Sequence, residues 1–258
     1  MFITMVHVTT FFLIAARLIG LIFWAPFFSD KQIFAMAKVA LVIWASALLI
    51  FVVPMPTQLP GTNMTFFLAL LMEFMIGMML GFAASIMVIA IEFAGSLMDT
   101  QAGLSVASML DPSTGRNAAL FERMLKNVAI LIFIIIDGHH MILSIFQQSF
   151  LVLPVGAPIN MLEPIEFLLT LGKEIFRIGV RLAAPIILVV FIVDFAFGLL
   201  NRVAEQINIF QLGFQIKPTV SLIIILAITP ALVYSILNIM EGVMKQLLEL
   251  LSLMQVTI

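Results

Sequence analysis

The segment that most restricts this chain is residues 66–93, FFLALLMEFMIGMMLGFAASIMVIAIEF, where Glu73 and Glu92 are the only ionisable side chains. A helix crossing the hydrocarbon core of a bilayer needs roughly 20 mainly apolar residues, with a range of about 17–25. This segment is long enough by itself. Residues 11–28, 39–53, 182–200 and 220–239 qualify or come close. A sixth stretch is split into 128–136 and 141–153 by Asp137-Gly138-His139-His140. The composition agrees, with 63% hydrophobic and 10% charged residues and a mean hydropathy of +1.24. Soluble domains average about 45–50% apolar and about 25% charged, so this chain has too little polar surface to cover a globule in water. No alternation of period two is long enough for a barrel, and no tandem repeat is present. The sequence therefore predicts an all-α membrane protein.

Breaks between the apolar stretches fall where helices lose a donor or gain a left-handed option. They are Ser29-Asp30-Lys31, the prolines 54, 56 and 60 with Gly61, Pro112 with Gly115, and Pro154, Gly156, Pro158 and Pro164. The longest polar-leaning linkers, 99–127 and 154–181, are still rich in apolar residues, so no separate soluble domain is expected. The opening residues carry no basic region and the first stretch lacks a small-residue cleavage site, so it reads as a retained span. Lys31 and Lys38 follow the first span, the 54–65 loop has no Lys or Arg, and Arg116, Arg123 and Lys126 follow the third. That alternation favours an outside N-terminus. The rule then fails, because Lys173, Arg177 and Arg181 precede the fifth segment while Arg202 and Lys217 follow it. Either residues 128–153 form a re-entrant hairpin or some segments do not cross as simple helices. A net charge of −2 gives no footprint for nucleic acid. The chain has no cysteine, hence no disulfide framework or thiolate site. No phosphate-binding loop, zinc-protease helix or nucleophile elbow is present, so neither an enzyme nor a cofactor is expected.

Four polar residues sit inside apolar stretches: Arg17, Glu73, Glu92 and Asp194. A charge at the bilayer centre costs on the order of 3 kcal/mol on insertion scales, so such groups face protein or water and find partners. They mark either a conduction path or pairing between helices or subunits, with Arg17–Glu73 and Arg181–Asp194 as possible pairs. Gly77 and Gly81 form a Gly-x-x-x-Gly pair, four residues beyond Glu73, that lets two backbones approach closely. The 18 methionines fit adaptable packing, with the sealing of a pore as the sharper reading. Asp137-Gly138-His139-His140 invites a metal assignment. Adjacent histidines diverge on a helix, however, and the only other histidine is His7. The segment is better read as a polar hinge between two short helices.

Three stretches together resemble the FliR family, called SctT in virulence secretion. They are Arg17-Leu18-Ile19-Gly20 with Pro26-Phe27-Phe28; Gly95-Ser96-Leu97-Met98-Asp99 and Gln101-Ala102-Gly103-Leu104-Ser105 through Asp111-Pro112, Asp137-Gly138-His139-His140 and Ser149-Phe150; and Asn201-Arg202 with Gln206-Ile207-Asn208-Ile209-Phe210 and Gly213-Phe214. The resemblance covers nearly the whole chain. One departure is Glu205, which precedes Gln206 where the family pattern has proline.

The resemblance implies a subunit of the flagellar type III export gate. In it, one copy joins about five FliP-like and about four FliQ-like subunits in a closed helical cone in the bacterial inner membrane. FlhB and FlhA act nearby, and unfolded export substrates pass through the channel. It also implies tilted, broken helical hairpins, with a FliP-like half at about 1–153 and a FliQ-like half at about 154–258. Val106, Met109, Leu110, Asp111, Pro112, Ser113, Thr114 and Gly115 are then expected to form a plug, because an apolar tip between flexible residues can close a pore by excluding water. Gln206, Asn208, Phe210 and Gln211 are expected at a cytoplasmic hairpin tip that contacts FlhB. Arg17, Glu73, Glu92, Arg181 and Asp194 are expected at intramembrane or inter-subunit contacts. A secondary transporter of a small solute and a pore-less assembly scaffold are the alternatives; the first predicts paired breaks in two halves, which the sequence does not display.

Overall fold

The computed structural model describes all residues except 1–4, 27, 29–32, 55–61, 105–118, 158, 160, 205, 207 and 256–258. The described residues form seven helices: α1 (Met5–Trp24), α2 (Ala35–Leu49), α3 (Asn63–Gln101), α4 (Leu120–Ile135), α5 (Gly138–Val152), α6 (Leu162–Val203) and α7 (Ile209–Leu253). No strand occurs among the described residues. The protein is an all-α membrane protein. Helices α1, α3, α6 and α7 are each long and apolar enough to span a bilayer, and α4 with α5 make a broken span bent by 65°. Helix α2, at 15 residues, falls short of a span and buries only Ser46.

Three helices are much longer than a crossing needs. Helices α3, α6 and α7 contain 39, 42 and 45 residues. At about 1.5 Å per residue, each runs to roughly twice the ~30 Å hydrocarbon thickness. Pro185 lies inside α6, and Pro218 and Pro230 lie inside α7. Helices that pack in protein or lipid tolerate such residues because neighbouring groups satisfy the freed carbonyls.

The chain divides into two compact units. The first comprises residues 1–87, 133–172 and 241–258. Its buried side chains include Leu13, Ile14 and Leu18 of α1, Ile76 and Leu80 of α3, and Ile145, Phe146 and Phe150 of α5. Here α1 meets α3 at backbone distance. A Cβ on Gly77 would overlap the Arg17 carbonyl, one on Gly81 the Leu21 carbonyl, and one on Gly20 the Phe74 carbonyl. Only glycine allows that approach, which is the packing that small residues four apart permit in a membrane.

The second unit comprises residues 88–132 and 173–240. Phe121, Leu125, Ala129 and Ile132 are buried along one stripe of α4, spaced by four, four and three residues. Leu182, Ala183, Ile186 and Val190 form the buried stripe of α6. Gly95 of α3 lies against the Glu122 backbone, and a Cβ there would overlap it. Phe93 stacks edge-on against Phe176, with ring centroids 5.4 Å apart.

Candidate functional site

The most elaborate polar arrangement lies inside the first unit, around Arg17. Its guanidinium is fully buried, at 0% exposure, and Glu73 is 2% exposed. Arg17 Nε donates to Glu73 Oε2 at 2.6 Å, Nη1 donates to Ser149 Oγ at 3.0 Å and Nη2 donates to the Leu153 carbonyl at 3.1 Å. The cation sits 4.1 Å from the centroid of the Phe150 ring, a cation–π distance. Glu73 Oε1 accepts from the Gly156 N–H at 3.0 Å, and Ser149 Oγ donates to the Phe146 carbonyl at 2.7 Å. Gly156 has φ +78, a conformation that favours glycine, and this turn aims its N–H at the carboxylate. Four pieces of chain thereby converge: α1, α3, the end of α5 and the 153–157 turn.

Such a pair is retained only because each polar atom has a partner. Burying two charges is costly, and removing one partner strands the other. Each of the three guanidinium nitrogens donates, one to a carboxylate, one to a hydroxyl and one to a carbonyl oxygen, which suits the fork of donors that arginine presents. The arrangement therefore works as a staple, fixing the angle at which α5 ends and the chain turns back.

A second set of contacts lies in the other unit. Asp99 Oδ1 accepts from the Phe121 N–H and Oδ2 accepts from the Glu122 N–H, both at 2.9 Å. A carboxylate from α3 thus caps the free amides at the start of α4. One turn along, Lys126 pairs with Glu92 at 2.9 Å. The end of α3 and the start of α4 are held together by two charged contacts and the Gly95 crossing.

The remaining polar residues separate. Asp194 pairs with Lys217 of α7 at 2.5 Å, not with Arg181. Arg181 is exposed and has no ion pair among the described residues. The two lie thirteen positions apart on one continuous helix, too far for contact at about 1.5 Å per residue. A cleft of about 470 Å³ opens beside Asp194 and Lys217, with Gln101, Asn201 and Phe214 among its lining. Asn208 Oδ1 accepts from the Gln211 N–H at 3.2 Å, so Asn208 caps α7. Gln206, Asn208 and Gln211 are exposed, and Phe210 lies in the first turn of α7. The expected plug residues Val106, Met109, Leu110, Asp111, Pro112, Ser113, Thr114 and Gly115 lie outside the described residues.

At the break between α4 and α5, Asp137 has φ 56 and the segment forms the expected hinge. The expectation that the adjacent histidines diverge is not met. The His139 and His140 rings lie side by side, with centroids 4.2 Å apart. Both lie in the first turn of α5, which starts at Gly138 just after the left-handed Asp137.

Sequence reading missed the roles of Ser149, Phe150 and Asp99. All three stand in the stretches that carry the family resemblance, but each acts by reaching a distant element, so nothing local gives its role. Asp99 lies just past the apolar run, where a carboxylate raises no alarm.

Described residues that form only helices and the turns between them, with four helices, or five counting the bent pair, long and apolar enough to cross a bilayer, define a polytopic membrane protein. The family described as bacterial export proteins, family 1, matches residues 8–243. The chain is 34% identical to the flagellar biosynthetic protein FliR of Pectobacterium carotovorum subsp. carotovorum over 83% of its length and 82% of that protein's. It is 25% identical to FliR of Bacillus subtilis (strain 168) over 96% of both chains. It is also 29% identical to the secretion system apparatus protein SsaT of Salmonella typhimurium over 61% of both. The chain belongs to the bacterial export proteins, family 1, the family of FliR.

Proposed function

We infer that this chain is a subunit of the flagellar type III export apparatus in the inner membrane, and that it forms with FliP-like and FliQ-like subunits the channel for unfolded export substrates. The family match over residues 8–243 carries the apparatus reading. The channel reading is supported by the apolar faces left open on α6 and α7. Leu188, Phe191, Ile192 and Phe195 of α6 are 62–66% exposed, and Ile223, Leu226 and Tyr234 of α7 are 61–69% exposed. Helices twice the length of a crossing, with apolar surface far along them, suit lateral packing against similar hairpins better than lipid alone. On this reading the FliP-like half covers about 1–153 and the FliQ-like half about 154–258, with one copy in the assembly.

The plug belongs to the same proposal. Residues 106–115 close the channel, and the Asp99 and Glu92 contacts give this loop a fixed base. Deleting residues 110–114 is expected to raise ion leak through the assembled complex, while unchanged leak removes the plug. At the other tip, Gln206, Asn208, Phe210 and Gln211 contact FlhB. Gln206 and Gln211 are the residues to replace, because Asn208→Ala would also uncap α7. FlhA is the nearby partner in this reading.

Native mass spectrometry after co-expression with the FliP-like and FliQ-like subunits tests the whole. A single large complex containing one copy of this chain is expected. Purification as a monomer or homodimer beside well-expressed partners overturns the reading.

A further inference from the structure

Neither the staple nor the channel uses the start of α5, and that turn gathers three metal-ligating side chains. Asp137, His139 and His140 each offer one ligand atom, and these atoms all lie within 4.8 Å of one another. Asp137 occupies the N-cap position of α5 but makes no side-chain capping bond. Its Oδ1 faces His140 Nδ1 at 3.5 Å instead. His139 Nδ1 is buried with no hydrogen-bond partner among the described residues. A neutral imidazole has one donor and one acceptor nitrogen, and an unsatisfied buried one is costly. Gly138 packs against Phe133, where a Cβ would overlap the ring, so the turn carrying the three ligands is held in place.

We propose that Asp137, His139 and His140 form a binding site for a divalent transition-metal ion of the zinc class. The donors are two imidazoles and one carboxylate, in a chain without thiols. That set suits Zn²⁺, with Cu²⁺ as a tighter competitor, and does not suit Cu⁺. Tetrahedral Zn²⁺ places its ligand atoms about 3.3 Å apart. The side chains of Asp137 and His140 are each 72% exposed, so both rotate freely enough to close that gap. Their exposure also leaves the fourth position to water or to a group from another subunit. The positive end of the α5 dipole opposes a cation here, so the site binds reversibly rather than as a closed structural centre. Binding would tie the left-handed residue to the first turn of α5 and lock the 65° break.

The test uses the untagged full chain in detergent and Zn²⁺ alone, followed by titration calorimetry, with Co²⁺ absorption bands as a second readout. One ion per chain is expected. His139→Ala, His140→Ala and Asp137→Asn should each weaken binding about tenfold or more. Asp137→Asn also controls for folding, since asparagine tolerates the left-handed conformation. His7→Ala should leave affinity unchanged. Absence of uptake overturns the proposal, as does uptake indifferent to all three substitutions; the cluster is then only an Asp137–His140 latch.

Discussion

The 18-residue spanning windows of α3 and of α6 and α7 are nearly equal in mean hydropathy, 2.4 against 2.5, yet they meet different surroundings. The most apolar window of α3 is 72% buried within the chain, whereas those of α6 and α7 are 22% buried. Hydropathy reports only that water is absent. It does not distinguish lipid from the chain's own helices or from another subunit. The distinguishing signal is small residues. Gly77, Gly81 and Gly95 on α3 each lie in backbone contact, while on α6 a Cβ at Gly172 or Gly198 would meet nothing within 4 Å among the described residues and one at Gly179 would meet only the Phe93 ring. From Glu73 onward α3 is therefore largely covered by this chain's own helices, while its first turns, with Met64, Phe67 and Leu71 exposed, and the faces of α6 and α7 are left for something else to cover.

The largest test of this contrast is the staple. Arg17→Ala or Glu73→Ala strands a buried charge and should cost about 3–5 kcal/mol, read as thermal unfolding in detergent. Arg17→Met combined with Glu73→Leu should recover most of that loss. A cost below about 1 kcal/mol for the single variants, the range of exposed pairs, would break the comparison. Next in size is Gly77→Ala, which drives a methyl group into the Arg17 carbonyl and should cost about 1–3 kcal/mol. Its counterpart, Gly198→Ala, meets open space and should instead stabilise the isolated chain by about 0.5–1 kcal/mol. If Gly198→Ala also lowers retention of FliP-like and FliQ-like subunits, the α6 face is a partner surface rather than a lipid one.

The fold was largely legible because bilayer thickness and apolar run length speak directly to one another. The all-α class and the break at Asp137 followed from them. The length of α6 did not, since its start at Leu162 lies in a stretch that is polar enough to read as a linker. Arg17 and Glu73 stood out as charges in apolar surroundings, and opposite sign suggested their pairing. Their other partners did not stand out, because Ser149, the Leu153 carbonyl and the Gly156 amide are ordinary groups until the 153–157 turn brings them in. Arg181 shows the reverse failure: complementary charge suggested Asp194, but a continuous helix holds them apart.

Asp99→Ala removes both acceptors from the first amides of α4 and should cost about 1 kcal/mol, within the 0.5–2 range of lost caps. Asp99→Asn keeps one acceptor and should cost less. Because these bonds join α3 to α4, hydrogen exchange at Phe121 and Glu122 should rise even if the melting temperature barely moves. Unchanged exchange at those amides would mean that the start of α4 is held by the Gly95 crossing and the Glu92–Lys126 pair alone.

The smallest effect is expected at Asp194–Lys217, and it refines the comparison most finely. The pair joins α6 to α7, with side-chain exposures of 46% and 26%, beside a cleft with Gln101 and Asn201 in its wall. Water and polar groups reach both charges, so a double-mutant cycle with Asp194→Asn and Lys217→Gln should give a coupling of about 0.2–1 kcal/mol. The coupling should shrink at high salt, since exposed charges are screened over about 8 Å at physiological ionic strength. The same cycle in the assembled complex separates two cases. If a partner helix covers the pair, the surrounding dielectric falls, the coupling grows and its salt dependence disappears. If the cleft stays open to water, both values remain as they are in the isolated chain, and the α6–α7 surface that partners cover lies on the Leu188–Phe195 side instead.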